Sequence, residues 1–172
     1  MRDLTRGPMR PAYRVRQFRD HLRARVEPAE RAAAHRLLPP TAVRLFDAMP
    51  VADQRHALDV LSRLRASGVT DLDLLAAALL HDAAKGPRVR LWHRVATVLV
   101  EALAPGRLDR LGSSDPSSWR YPFHLQRHHA ALSAQAAVEA GCGPRVAAFI
   151  AGTTSGADAQ LSAALRAADA AS

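Results

Sequence analysis

Apolar residues in this chain recur three and four positions apart, segment after segment, and no segment alternates convincingly as a strand would. Between the periodic segments stand Pro39-Pro40, Ser67-Gly68, Gly86-Pro87, Pro105-Gly106 and the run Gly112 to Ser118, all residues that stop helices or build turns. Side chains three and four apart share a face only on a helix, so a chain patterned this way must bury its apolar surface helix against helix. The expected fold is all-α, a compact multi-helix bundle.

The spacing predicts a first helix over about 12–26, with Tyr13, Val15, Phe18, Leu22 and Val26 on one stripe. A short helix over 29–38 follows, then one capped by Thr41 and closed by Pro50. Asp53 is expected to open the next, ending near Ala66, and Thr70 or Asp71 to cap a helix reaching about Ala84. Further helices are expected over 89–103 and 123–140, a short one ending near Ala151, and a last one from Asp158 onward.

At roughly 100 to 200 residues per domain, 172 residues suit a single domain able to bury a core without metal or disulfide staples. A hydrophobic share of 48% and a charged share of 23% set disordered and fibrous classes aside. Cys142 is the only cysteine, so no intramolecular disulfide can form. The longest purely apolar run, Leu74 to Leu80, is far short of the ~20 residues a membrane-spanning helix needs. The arginine-rich start also lacks an apolar signal core, and the expectation is a cytoplasmic protein without a membrane span.

The formal charge is +8, and most of it is concentrated at one end. Residues 1–36 hold ten arginines against Asp3, Asp20, Glu27 and Glu30. We therefore expect residues 1–50 to form an arginine-rich helical N-terminal extension packed on a core over 51–172. Clustered positive charge attracts phosphate without any particular sequence, so nucleic acid, an anionic surface or an acidic protein is a conceivable partner. A solvated helical face is the alternative. Of the 24 basic residues, Lys85 is the only lysine.

Three helices concentrate the chemistry. His56, Val60 and Leu64 follow one another at i, i+4, i+8, with Ala57 and Leu61 beside them, which places His56 on a buried stripe. A buried imidazole needs a partner. His81-Asp82 falls where the helix of Leu74, Leu75, Ala78 and Leu79 ends, and both side chains are ordinary ligands of divalent metals. The partial negative charge of a helix C-terminus favours a cation there. Leu161, Leu165 and Asp169 repeat the i, i+4, i+8 pattern, turning Asp169 inward, where a carboxylate needs a counter-charge. Each has a plainer explanation: a core histidine bonded to a carbonyl, a chance doublet, a frayed terminal carboxylate.

The segments DQRHALDVL (Asp53 to Leu61), LLAAALLHDAAK (Leu74 to Lys85) and LRAADAA (Leu165 to Ala171) together resemble the HD-domain metal-dependent phosphohydrolase superfamily. That family is all-helical and carries a histidine, then a His-Asp doublet, then a distant aspartate on a late helix. Its doublet is often followed by Gly-Lys, and Ala84-Lys85 matches only the lysine. The resemblance begins at Asp53 and implies His56, His81, Asp82 and Asp169 as metal ligands, with Lys85 near the phosphate. His129, in HHAALSAQAAVEAG, is similar to a further ligand of two-metal members and aligns with Leu132 and Ala136 on an expected inward stripe. The segment IAGTT, Ile150 to Thr154, stands where those members carry another histidine; threonine is a poor substitute for a neutral nitrogen donor, which favours one metal with at most a weak second site.

The implied activity is hydrolysis of a nucleotide, phosphomonoester or phosphodiester by water activated on one divalent ion: Mn, Fe, Mg, Co or Ni. Asp82 and Lys85 would be its catalytic groups, Asp82 orienting the water and Lys85 stabilising negative charge. Lys85 is equally well explained as a lysine favoured by a helix C-terminus. Trp119, Tyr121 and Phe123 can border the pocket or pack in the core. A different class of function is a non-catalytic HD-like binding or scaffolding module whose N-terminal arginines contact nucleic acid or an acidic partner.

Overall fold

The computed structural model describes residues 25–86 and 112–172, together with Val89, His93, Ala96, Thr97 and Val100. The helix expected over 12–26 lies almost wholly outside the described residues, as do most of the N-terminal arginines; of the helix expected over 89–103 five positions are described, and four of them, His93, Ala96, Thr97 and Val100, are helical. Among the described residues there are seven helices and no strand: α1 (Pro28–His35), α2 (Pro40–Asp47), α3 (Val51–Ala66), α4 (Leu72–Leu80), α5 (Tyr121–Glu139), α6 (Pro144–Ala151) and α7 (Ala157–Ala170). The all-α bundle read from the spacing is the fold observed. None of these helices is long and apolar enough to cross a membrane.

α4 is the centre of the bundle. Leu74 through Leu80 are all buried, as a helix apolar on every side must be, and α2, α3, α5, α6 and α7 pack around it. Ala34, Leu38, Ala42, Phe46 and Met49 from the α1–α2 region enter the same buried cluster as Leu58, Leu61, Leu79, Phe149 and Leu165.

Local signals place most boundaries within a residue or two. Asp71 caps α4 by accepting the Leu74 N–H at 3.0 Å. Gly68 follows α3 at φ +85° and Gly152 follows α6 at φ +71°, a conformation that favours glycine. Four expectations are corrected. Thr41 does not cap α2, because Pro40, with φ already set for a helix, starts it one residue earlier. Asp53 does not open α3 but lies in its first turn, 1% exposed, and Pro50 precedes α3 directly rather than closing α2. α4 stops at Leu80, not Ala84, and residues 81–86 form turns closed by Ala83 N–H to Leu80 and Lys85 N–H to Asp82.

One polar knot joins three helices. Arg145 of α6 donates to Asp71 at 2.7 Å, Asp73 at 3.0 Å and Asp158 at 2.8 Å, and its guanidinium lies 4.8 Å from the Phe149 ring centre. The Arg145 guanidinium holds the Asp71 carboxyl below the usual range, and Arg55 does the same for Glu30. A depressed carboxylate stabilises the fold above its unfolded pKa of about 4, and that contribution is lost as pH falls through the lower folded value. Asp71→Ala, which also removes the α4 cap, is expected to cost about 1 kcal/mol at neutral pH. In urea unfolding, the difference from wild type should shrink as pH falls from the unfolded value through the lowered folded one, below which both states bind the proton.

Candidate metal centre

His56, His81 and Asp82 reach one point from two parts of the bundle, each offering a ligand atom, all within 4.8 Å of one another. His56 comes from the inward side of α3, where Ala57, Val60, Leu61 and Leu64 are buried as the spacing requires. His81 is the C-cap of α4, and Asp82 is the next residue, in the turn beyond it. The imidazole rings of His56 and His81 are 5.3 Å apart.

Asp169 closes the cluster from α7. Its Oδ1 accepts from His56 Nε2 at 2.9 Å and lies 3.5 Å from His81 Nε2, with the side chain about half exposed. Arg63 of α3 fastens the end of this helix by donating to Ser172 Oγ at 3.0 Å. Asp169 therefore meets both imidazoles, as its place on the Leu161–Leu165 stripe suggests.

Lys85 is present too, but as a partner of Asp82: its Nζ donates to Asp82 Oδ2 at 2.6 Å. The lysine thus neutralises a carboxylate that is 2% exposed, a burial that an unpaired charge would not tolerate. His129 approaches from α5, its Nε2 3.6 Å from Asp82 Oδ1. It stands beside the trio, against Asp82.

Two of these histidines are oriented by their own helices. His81 Nδ1–H donates to the Ala78 carbonyl at 2.9 Å and His129 Nδ1–H to the Gln126 carbonyl at 2.8 Å, so each presents Nε2 to the cluster. Backbone carbonyls that fix an imidazole in this way are a recurring support of metal-binding histidines.

The electrostatics are mutually dependent. Burial works against a charged His81, but the Asp169 and Asp82 carboxylates outweigh it and raise its pKa above the ordinary value. Burial likewise works against a charged Asp82, yet Lys85 and His81 hold its carboxyl well below the usual range. Asp169 is lowered, against the effect of burial, by His56 and His81. His129 is pushed down by burial and by Lys85.

A buried polar atom without a partner is costly, and two of them lie at this centre: among the described residues, His81 Nε2 and Asp82 Oδ1 are buried with no hydrogen-bond partner, only longer contacts of 3.5 Å to Asp169 Oδ1 and 3.6 Å to His129 Nε2. Nitrogen from imidazole and oxygen from carboxylate form the donor set that borderline divalent cations take. The donor chemistry and the unsatisfied atoms both fit a cation, and the His56, His81, Asp82 group can hold a metal ion.

Other residues fall outside this cluster. The buried stripe of α5 runs through Ser133, Ala134 and Ala137; Leu132 and Ala136 are only partly covered, so the stripe assigned to His129 was one position off. Thr154 donates to Ser162 Oγ at 2.7 Å. The rings of His124 and His128 lie 4.5 Å apart between centres, tilted by 40°, with His128 exposed. His35 binds Asp47, and His93 is buried against Phe123. Phe123 is core, whereas Trp119 is 70% exposed.

Sequence reasoning passed over Ser133. It is fully buried, and its Oγ accepts the Ala84 N–H at 3.0 Å, tying the His81–Lys85 turn to α5. The signal was the i, i+4 spacing from His129 to a serine amid alanines. Comparison with protein-family models, curated proteins and solved structures finds no match to this chain.

Proposed function

We propose that this chain is a metal-dependent phosphohydrolase of the HD-domain type, holding one divalent cation and hydrolysing a phosphate ester. The observation that carries the reading is that His81 Nε2 and Asp82 Oδ1, from one three-residue donor group with His56 and beside Asp169, are buried and without hydrogen-bond partners among the described residues. The order of these residues along the chain, a histidine, a His-Asp pair and a late aspartate, supports the same conclusion.

His56, His81, Asp82 and Asp169 would hold the cation. When bound, a divalent ion lowers the pKa of water and withdraws charge from phosphoryl oxygens. The chain's own residues have distinct tasks. Ala78 and Gln126 keep the two imidazoles in the tautomer whose Nε2 faces the cluster. Asp82 supplies negative charge at the buried side, kept ionised by Lys85. Lys85 carries the only ammonium at the cluster and supplies positive charge to a phosphoryl oxygen that approaches Asp82. Asp169, half exposed, would be the ligand that water and substrate reach from solvent.

Elemental analysis of protein prepared without chelator or nickel resin tests the reading. About one equivalent of a transition metal per chain is expected, and excess metal at ~100 times Kd should stabilise the fold by about 2.7 kcal/mol. A screen of phosphate esters with that metal then identifies the substrate. Protein that is isolated metal-free and takes up neither Mn²⁺ nor Fe²⁺ would sink the hydrolase and bring forward a binding module.

A further inference from the structure

We propose, on the metal-binding reading above, that Ser133 is a positioning residue that ends α4 at the His81–Asp82 pair and so sets the geometry of the centre. In a continuing α-helix the Ala84 N–H would bond to the Leu80 carbonyl four residues back. Here it turns to Ser133 Oγ at 3.0 Å, and the Leu80 carbonyl takes the Ala83 N–H instead. The consequence is a tight turn over 81–86, closed again by Lys85 N–H to Asp82.

That turn decides where Asp82 points. On a regular helix Asp82 would lie 100° around from His81, carried by the axis of α4. In the turn its carboxylate lies with Oδ2 3.8 Å from His81 Nε2 and Oδ1 3.6 Å from His129 Nε2. Ser133 and His129 sit one helical turn apart on α5, so the same helix that presents His129 also anchors the loop bearing Asp82. Local propensity favours continuing α4, since Ala83 and Ala84 are the best helix formers. A hydroxyl 49 residues away overrides it. Ser133 is fully buried, and its Oγ has been placed on an amide of the metal-bearing turn.

The test measures binding of Mn²⁺ alone, by loss of the free-ion EPR signal, to wild type, Ser133→Ala and Ser133→Cys, well below each melting temperature. Removing a group that orients metal ligands typically weakens metal binding about 10- to 100-fold, and that loss is expected for Ser133→Ala, together with an altered line shape of the bound ion. Should the alanine variant fail to fold, Ser133→Cys carries the measurement. Its thiol fills the same space but is a weak acceptor, and a loss in the same direction is expected. Variants that melt earlier yet bind Mn²⁺ with wild-type affinity and line shape would reduce Ser133 to a packing role and overturn the proposal. Should the wild type take up no Mn²⁺, the same comparison is made by Fe²⁺ content; uptake of neither ion overturns the metal reading itself, and the positioning role falls with it.

Discussion

Asp82→Ala should abolish metal uptake and, separately, lower the stability of the metal-free protein. The first effect follows because Asp82 is the one carboxylate in the group of three close donors; without it two imidazoles and the half-exposed Asp169 remain. The second follows from Lys85, which sits 2.6 Å from the carboxylate and has only 17% of its side chain exposed. Removing one partner of a buried pair typically costs about 3–5 kcal/mol, and the flexible stem of Lys85 should bring the cost to about the lower figure by letting the ammonium reach water. Urea unfolding of Asp82→Ala, Lys85→Ala and the double variant separates the two effects. If the pair is what matters, adding Lys85→Ala to Asp82→Ala should cost little more or even restore stability. Metal content in Asp82→Ala equal to wild type would remove Asp82 from the ligand set.

Phe46→Ala is expected to destabilise the whole bundle by about 3–5 kcal/mol, the range for deleting a fully buried aromatic side chain. Phe46 has no exposed surface, lies at the core side of α2 and meets the edge of His35 at 6.4 Å between ring centres. Its cluster includes Leu79 and Leu61, so the loss is not confined to the first two helices. Unfolding should remain a single transition, with fluorescence and circular dichroism moving together at lower urea. Two separated transitions, the first confined to α1 and α2, would show that these helices form a unit of their own.

The helices and the residues of the centre were legible wherever a local rule governs them. Asp71 caps α4 because a carboxylate three residues ahead of a free amide can reach it. His56 faces inward because of its register with Val60 and Leu64. What escaped is what distant residues impose. The stop of α4 is made by Ser133, beyond any local window, so helix propensity alone carries the helix four residues too far. Arg145 draws together carboxylates at positions 71, 73 and 158, which no period relates. The α5 face was misjudged because alanines surround the helix on most sides, leaving little contrast between stripes; burial follows the close approach of α6 and the 81–86 turn rather than hydrophobicity.

His56 and Asp169 are 113 positions apart, and their bond exists only when α7 lies against α3. Closing so long a loop is entropically late work, so the imidazole–carboxylate cluster is a product of completed folding rather than a seed for it. The same separation operates in reverse. A brief peeling of the last turn of α7, held there by Arg63 and His56, takes one carboxylate away while His56, His81 and Asp82 stay on the rest of the bundle. Amide exchange near Asp169 would therefore report the lifetime of the closed cluster, a clock set by helix fraying rather than by global unfolding.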